Sequence, residues 1–279
     1  MALNTGGFEL VHLKSGQQSI RCRTHGETMH IGSGPRTEAM TLHIGQQRIV
    51  ERAQAHCGGP FVVWDVGLGP AGNALTAMDA LRGVSASVEI HSFEISTEIL
   101  EFALRHTEAL GYMAGWESAI EQLLREGVAN PLPNVRWYLH RGDYLAQMCH
   151  APSPDAVFHD PYSPARNPEM WSLEVFQAAC ERVGEGACLL TNYTRSTAVR
   201  VTLALAGWNI GFGVPTGDKD QTTIASSRLS LLERPLDSAW LARVRASTNA
   251  APFRGGLYAP GPISDEDFAI LQALPQFLP

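Results

Sequence analysis

The sequence predicts a doubly wound α/β fold, and three observations carry that prediction. From residue 60 onward, short apolar runs alternate with helix-length amphipathic stretches, the rhythm of a parallel sheet with crossover helices. FVVW (61–64), AVF (156–158) and CLL (188–190) are apolar at consecutive positions, as strands covered on both faces require. The first run ends in Asp65-Val66-Gly67-Leu68-Gly69, where glycines permit a tight strand-to-helix turn and a close approach to a ligand. The count of runs gives a mostly parallel seven-stranded sheet with an antiparallel edge strand, preceded by a small N-terminal β-hairpin/helix extension.

Each element follows from its local pattern. FELVHL (8–13) and QSIRCRT (18–24) alternate around Lys14-Ser15-Gly16-Gln17 and read as a hairpin. GETMHIGSGP (26–35) is glycine-rich, and residues 36–55 suit a helix with a break near Gly45. Strands are expected at 60–69, 87–94, 135–143, 155–160, 186–193, 208–213 and 221–229. Helices are expected at 71–82, 96–111 with Ser96 as N-cap, 115–127, 168–183 and 196–207. Only a loop separates the final two strands, so they can pair antiparallel at one edge. After Leu232 the chain turns Pro- and Gly-bearing, with a short helix near 264–274. Residues 1–58 thus read as an extension, 59–232 as the core domain, and 233–279 as a tail packed on the core.

Composition narrows the function classes. The chain has 279 residues, 44% of them hydrophobic, enough for one large core. A net charge of −7 argues against a dedicated nucleic-acid scaffold, though not against an enzyme that touches nucleic acid through a local basic patch. Cys22, Cys57, Cys149, Cys180 and Cys188 are odd in number, widely spaced and free of C-x-x-C pairs. They read as thiols of a reducing cytoplasm rather than a disulfide framework or a zinc site. His25, His30 and His43 form no metal pattern with nearby acids. No basic segment followed by an apolar run opens the chain, and no run of about 18 apolar residues occurs, so a cytoplasmic protein without membrane attachment is expected.

In open α/β sheets, ligands sit at the carboxyl ends of strands where strand order reverses. The residues expected there are Asp65, Gly67, Gly69, Glu94, Asp143 and Asp160. Glu94 can accept from ribose hydroxyls, and Asp143 from an adenine amino group. Four acids around one pocket would repel a pyrophosphate but suit a cationic ligand without phosphate. S-adenosyl-L-methionine, with its sulfonium, amino group, ribose and adenine, fits that charge better than NAD does.

Asp160-Pro161-Tyr162 then acquires a chemical reading. An amine attacks through its lone pair, and a carboxylate held rigid by Pro161 can accept its N–H and orient it. Tyr162 can stack on a planar substrate or bond to it. The stretch is similar to the D-P-P-Y motif of amino-group methyltransferases, with one proline missing.

HDPYSPARNPEMWSLEVF (159–176) resembles the D-x-F-x-P-x-K/R-N-P-x-M-W-x-x-x-x-F segment of MnmC-type methyltransferases, through Asp160, Pro164, Arg166, Asn167, Pro168, Met170, Trp171 and Phe176. SFE (92–94), the glycine turn and NYTRSTAVRVTLALAGW (192–208) agree with it, so the resemblance spans roughly residues 25–228. It implies a Rossmann-like class I S-adenosylmethionine-dependent methyltransferase in stand-alone form, without an oxidase region. The implied acceptor is the 5-aminomethyl group of a wobble uridine in tRNA, with a separate enzyme supplying that nucleoside. It further implies that Glu94 and Asp143 bind the cofactor and that Asp160 sits beside the transferred methyl. Arg166, Arg195, Arg200 and Lys219 are candidate contacts to anticodon-stem phosphates, and His30 a candidate for reaching the pocket. Two departures stand out: Ala71 replaces the family's third glycine, and VPTGDKDQ (214–221) replaces a basic segment.

Two other readings compete. An aminopropyltransferase of the spermidine-synthase type shares the sheet and a D-P-x-x-P stretch, but its second aspartate falls at Val157 here. A non-enzymatic interaction module could keep the sheet without the chemistry. Methylation of another amine is a further variant of the first reading.

Overall fold

The computed structural model describes residues 7–13, 16–29, 34–217, 219–257 and 259–278. The N-terminal extension opens with an antiparallel three-stranded sheet, β1 (Phe8–His12), β2 (Gln18–Cys22) and β3 (Glu27–Thr28). The predicted hairpin is therefore present, although its turn residues Lys14 and Ser15 lie outside the described residues. Helix α1 (Pro35–Ala39) runs into a π-helical turn (Met40–Gly45), and α2 (Ile49–Ala55) follows after Arg48, whose φ of 50° breaks the helix. The break expected near Gly45 is thus real.

The core begins with β4 (Phe61–Val66), buried at every position, then α3 (Gly72–Ala80) and β5 (Val88–Glu94). Next come α4 (Glu98–Arg105), α5 (Thr107–Leu110), α6 (Glu117–Glu126), β6 (Val128–Leu132) and β7 (Val135–Arg141). The short α7 (Tyr144–Gln147) leads to β8 (Ala156–His159), and after the proline loop α8 (Leu173–Val183) leads to β9 (Leu189–Asn192). Helix α9 (Thr197–Leu205), β10 (Asn209–Gly213) and β11 (Thr222–Ser226) complete the sheet; α10 (Ser238–Ala246) and α11 (Asp265–Gln272) follow.

The strands lie in the order β10-β11-β9-β8-β4-β5-β7-β6. That is eight strands rather than seven. The addition is β6, which hairpins antiparallel onto β7 across an irregular register. Its sequence, VANPL, carries a proline and little alternation, which hid it; as an edge strand it tolerates that proline. Strand β11 is inserted antiparallel between β9 and β10, so the expected antiparallel edge pair exists. Ser96 is not the N-cap of α4: Thr97 occupies that position, and Ser96 Oγ only accepts from Glu98 N at 3.4 Å.

Both faces of the sheet are covered. One carries α3, α4 and α6 together with Ile20, Ile44 and Ile49 of the extension. The other carries α8, α9 and the C-terminal helices through Trp240, Leu241, Val244 and Leu271. Trp64, Trp137, Trp171 and Trp208 are wholly buried. Each satisfies its indole N–H, donating to Pro152 O, Ser92 Oγ, Tyr162 O and Phe176 O respectively, so these large side chains contribute burial without an orphaned donor. No helix among the described residues is long and apolar enough to cross a membrane.

Candidate active site

Strand order reverses between β4 and β8, and their carboxyl ends lie side by side: Val66 pairs with His159, and Asp160 N donates to Val66 O at 2.9 Å. The glycine turn and the Asp160-Pro161-Tyr162 loop are therefore packed against one another. Gly67 has φ 85°, and a Cβ there would fall 2.9 Å from Asp160 O and 3.0 Å from Pro161 Cα. Only glycine fits that approach. Gly67→Ala is expected to cost about 2–4 kcal/mol, from the left-handed backbone and from the displaced loop. Gly69→Ala, also at positive φ but with nothing nearer than Gly67 O at 4.0 Å, should cost only ~1 kcal/mol of conformational strain. Urea unfolding of the two variants side by side separates these contributions. Ala71, where the resemblance expects glycine, nonetheless adopts φ 63°, ψ 19° at the start of α3, so the turn keeps the glycine conformation with a methyl in place.

The acids divide into two groups. Asp65 has no exposed surface, and its carboxylate accepts from Ser92 Oγ at 2.8 Å, which in turn accepts from Trp137 Nε1 at 2.9 Å. It braces β4 against β5 from beneath the turn and cannot touch a bound molecule as it stands, contrary to its expected direct contact. Glu94 is at the lip. Its Oε2 accepts from Gly69 N at 2.9 Å, and its Oε1 from Ile95 N at 2.9 Å and Ser96 N at 3.3 Å. Burial raises its pKa, against the pull of those N–H groups toward the ionised form. Asp143 is exposed and caps α7 by accepting from Ala146 N at 3.0 Å. The neighbouring Gly142 N donates to Glu94 O at 3.0 Å, which sets the two acids on one edge. Ile95, 77% exposed, is a bare aliphatic surface beside Glu94, and no sequence pattern marks it.

Asp160 is held from α3: Asn73 Nδ2 donates to its Oδ2 at 2.8 Å. Tyr193, from the end of β9, donates its hydroxyl to Pro161 O at 2.9 Å, and its ring meets Trp171 at 5.6 Å. Burial, then the charges of Asp160, Glu27 and Glu38, push the Tyr193 phenol well above its usual range, so it stays a donor. Asn73 lies just past the glycine turn and Tyr193 in NYTRSTAVRVTLALAGW, where no local pattern marks either. Tyr162 is not free to stack on a substrate through both faces. Its ring lies on His25 at 4.4 Å, and burial, then the neighbouring Cys22 and the charges of Glu94 and Glu27, raise its pKa.

The basic candidates separate as well. Arg166 is exposed, on the proline loop. Arg195 is exposed and paired with Asp220 at 2.9 Å. Lys219 turns inward, donating to Tyr193 O at 2.9 Å with its ammonium 4.7 Å from that ring; burial lowers its pKa, while Glu38 and Asp160 oppose that shift. Arg200 is only 2% exposed and donates to Thr223 Oγ1 at 3.0 Å and Thr222 O at 2.8 Å, so it tethers α9 to β11 and is no phosphate contact. His30 lies outside the described residues. Among them, no group of three or more His, Cys, Asp or Glu could hold a metal ion.

The residues fit S-adenosylmethionine. The turn admits no side chain at Gly67, the lip offers carboxylates and an aliphatic surface, and among the described residues neither Glu94 nor Asp143 forms a salt bridge with a basic side chain. A family model described as "S-adenosyl-L-methionine-dependent methyltransferase" matches residues 112–228. The bifunctional tRNA 5-methylaminomethyl-2-thiouridine biosynthesis protein MnmC of Methylibium petroleiphilum is 28% identical over 83% of this chain, and its counterpart in Ectopseudomonas mendocina 29% over 68%. These alignments cover 36% and 31% of the two relatives, so the chain corresponds to about a third of their length. The crystal structure of MnmC2 from Aquifex aeolicus superposes with a TM-score of 0.72 at 25% identity, over 95% of this chain and 83% of that one. A probable spermidine synthase from Corynebacterium glutamicum gives a TM-score of 0.52 at 12% identity over 90% of this chain and 94% of its own, a likeness of fold alone. The chain carries a class I S-adenosyl-L-methionine-dependent methyltransferase domain, similar to the MnmC methyltransferases.

Proposed function

We propose that the chain methylates a primary amine, the 5-aminomethyl group of a wobble uridine in tRNA, with Asp160 as the residue that receives the amine. The observation that carries this reading is the seat of Asp160 at the β4/β8 switch point, fixed by Asn73 and set against the Gly67 turn. Glu94, Asp143, Ile95 and the Gly67–Gly69 backbone hold S-adenosylmethionine, which supplies a methyl group already activated on a sulfonium. Asp160 accepts an N–H of the acceptor, orients the nitrogen lone pair and stabilises the positive charge that develops there. Tyr162 and Tyr193 keep the loop rigid and exclude water, their phenols protonated throughout. The relatives, named for the biosynthesis of a tRNA nucleoside, support a tRNA acceptor, and the exposed Arg166 and Arg195 are cations available to its phosphates. The acceptor nucleoside has to be made first by another enzyme.

An aminopropyl transfer is less well supported. Position 157, where that chemistry wants a carboxylate, is a wholly buried valine inside β8 whose carbonyl accepts from Gln47 at 3.0 Å. Titration calorimetry with S-adenosylmethionine, its decarboxylated form and NAD tests the pocket. Glu94→Gln is expected to weaken S-adenosylmethionine by about 10- to 150-fold, the worth of one charged hydrogen bond. Transfer of a methyl to tRNA lacking this modification, read by nucleoside mass analysis, tests the acceptor. Preference for the decarboxylated compound would move the assignment to polyamines.

A further inference from the structure

We propose that Glu27 is a positioning residue of the methyltransferase site: through Ser163 it fixes the Asp160–Tyr162 loop and makes the N-terminal sheet part of the active site. The inference rests on the assignment of that loop to the acceptor side. Glu27 lies on β3, 136 residues away in sequence, and both of its carboxylate oxygens are committed to Ser163. Oε2 accepts the Ser163 N–H at 3.0 Å, and Oε1 accepts the Ser163 hydroxyl. One more tie comes from the turn between β2 and β3: His25 stacks on the Tyr162 ring at 4.4 Å.

On its opposite side, the loop abuts Gly67 with no room for a methyl group, and its inner edge is held by Tyr193 and Trp171. The Asp160 segment is thus clamped between the cofactor turn and the N-terminal sheet. A charged acceptor gripping both donors of one residue is a stronger and more directional tie than a neutral contact. The benefit falls on Asp160, three residues upstream, because a displacement of about 1 Å at a reacting group can cost 10²-fold in rate. Glu27 touches neither the acceptor nor the cofactor in this scheme; it acts through Ser163.

The test compares wild type with Glu27→Ala, Glu27→Gln, Ser163→Ala and the Glu27→Ala/Ser163→Ala double variant. Methyl transfer to tRNA lacking the modification gives kcat and both KM values, and deuterium exchange of amides 160–166 is followed with S-adenosylhomocysteine bound. Glu27→Ala is expected to lower kcat by about 10²-fold, leave the KM for S-adenosylmethionine unchanged and speed exchange of the loop. Glu27→Gln, whose amide oxygen still accepts the Ser163 N–H, should recover most of the rate. In the Ser163→Ala background the Glu27→Ala loss should shrink, since the two act as one unit. A wild-type kcat in Glu27→Ala overturns the proposal, as does a loss that tracks melting temperature and is not recovered by glutamine. If Glu27→Ala does not fold, Ser163→Ala takes its place: a lower kcat with an unchanged KM for S-adenosylmethionine and faster loop exchange supports the proposal, and a wild-type kcat overturns it. If wild type binds S-adenosylmethionine but methylates no tRNA, the acceptor assignment fails by itself. The exchange data then decide: faster exchange of 160–166 in Glu27→Ala but not in Glu27→Gln supports Glu27, and equal exchange overturns it.

Discussion

Asp160→Asn is expected to lower kcat for methyl transfer by about 10²- to 10⁴-fold while S-adenosylmethionine still binds. Asparagine retains the shape and can still accept from Asn73 Nδ2, so the 2.8 Å contact that seats the side chain survives. What is lost is the negative charge facing the nitrogen as it becomes cationic, an electrostatic contribution that a neutral amide oxygen supplies only weakly. The loss should appear in kcat and not in the KM for S-adenosylmethionine, because Glu94 and the glycine turn are untouched. Equal catalytic loss in Asn73→Ala would show that aim matters as much as charge. A fully active Asp160→Asn enzyme would remove Asp160 from the chemistry and leave it as a prop of the β4/β8 junction. Calorimetry alongside the rate measurement keeps a folding defect from being read as a catalytic one.

Much of this site was legible from local signals. Gly67, Glu94, Asp143 and Asp160 end successive strands, and parallel strands in a doubly wound sheet bring their carboxyl ends together whatever the loops do. What the sequence could not reveal is which way each side chain turns once there. Asp65 looked like its neighbours, but strand alternation directs it into the sheet toward Ser92. Arg200 and Lys219 looked like surface charges; one is drawn into a slot between α9 and β11, and the other into the acidic corner around Tyr193. Tyr162, expected to stack on a planar substrate or bond to it, gives one face to His25. Glu27 carried no signal at all, because its partner lies more than a hundred residues away and no local pattern encodes the docking of a separate three-stranded sheet.

The pH dependence of stability should be dominated between pH 7 and 5 by histidines that the fold holds neutral. His159, one residue before Asp160, is 1% exposed between Trp171 at 4.9 Å and Phe176 at 5.0 Å; burial drives its pKa down to about 3. His140 falls to about 4, from burial and then the neighbouring His91 and His150. His91 bonds His140 through Nδ1 and Nε2 at 2.9 Å and is itself lowered, burial outweighing the attraction of Glu89. Two rings that share one proton in one hydrogen bond cannot both be charged without breaking it. In the unfolded chain these rings protonate near pH 6.5, so below that pH the unfolded state binds more protons and folding stability falls as pH falls. The stability is fully present above pH 6.5 and is lost progressively toward the folded pKa values of about 4 and about 3. For each of His140 and His159 the loss from pH 7 to 5 is about 2 kcal/mol, with His91 adding in the same direction. Glu94, whose pKa is raised by burial, works the opposite way, and the Asp267 carboxylate, held down by Arg254, is lost only at more acid pH. Urea unfolding at pH 7 and pH 5 checks the sum. His159→Phe keeps an aromatic ring in the Trp171/Phe176 cage and removes the titration, so it should flatten the pH 5–7 slope by about 2 kcal/mol with little change at pH 7. An unaltered slope in that variant would mean that His159 is protonated in the folded protein, and a buried positive charge one residue before Asp160 would then have to enter any account of the catalytic loop.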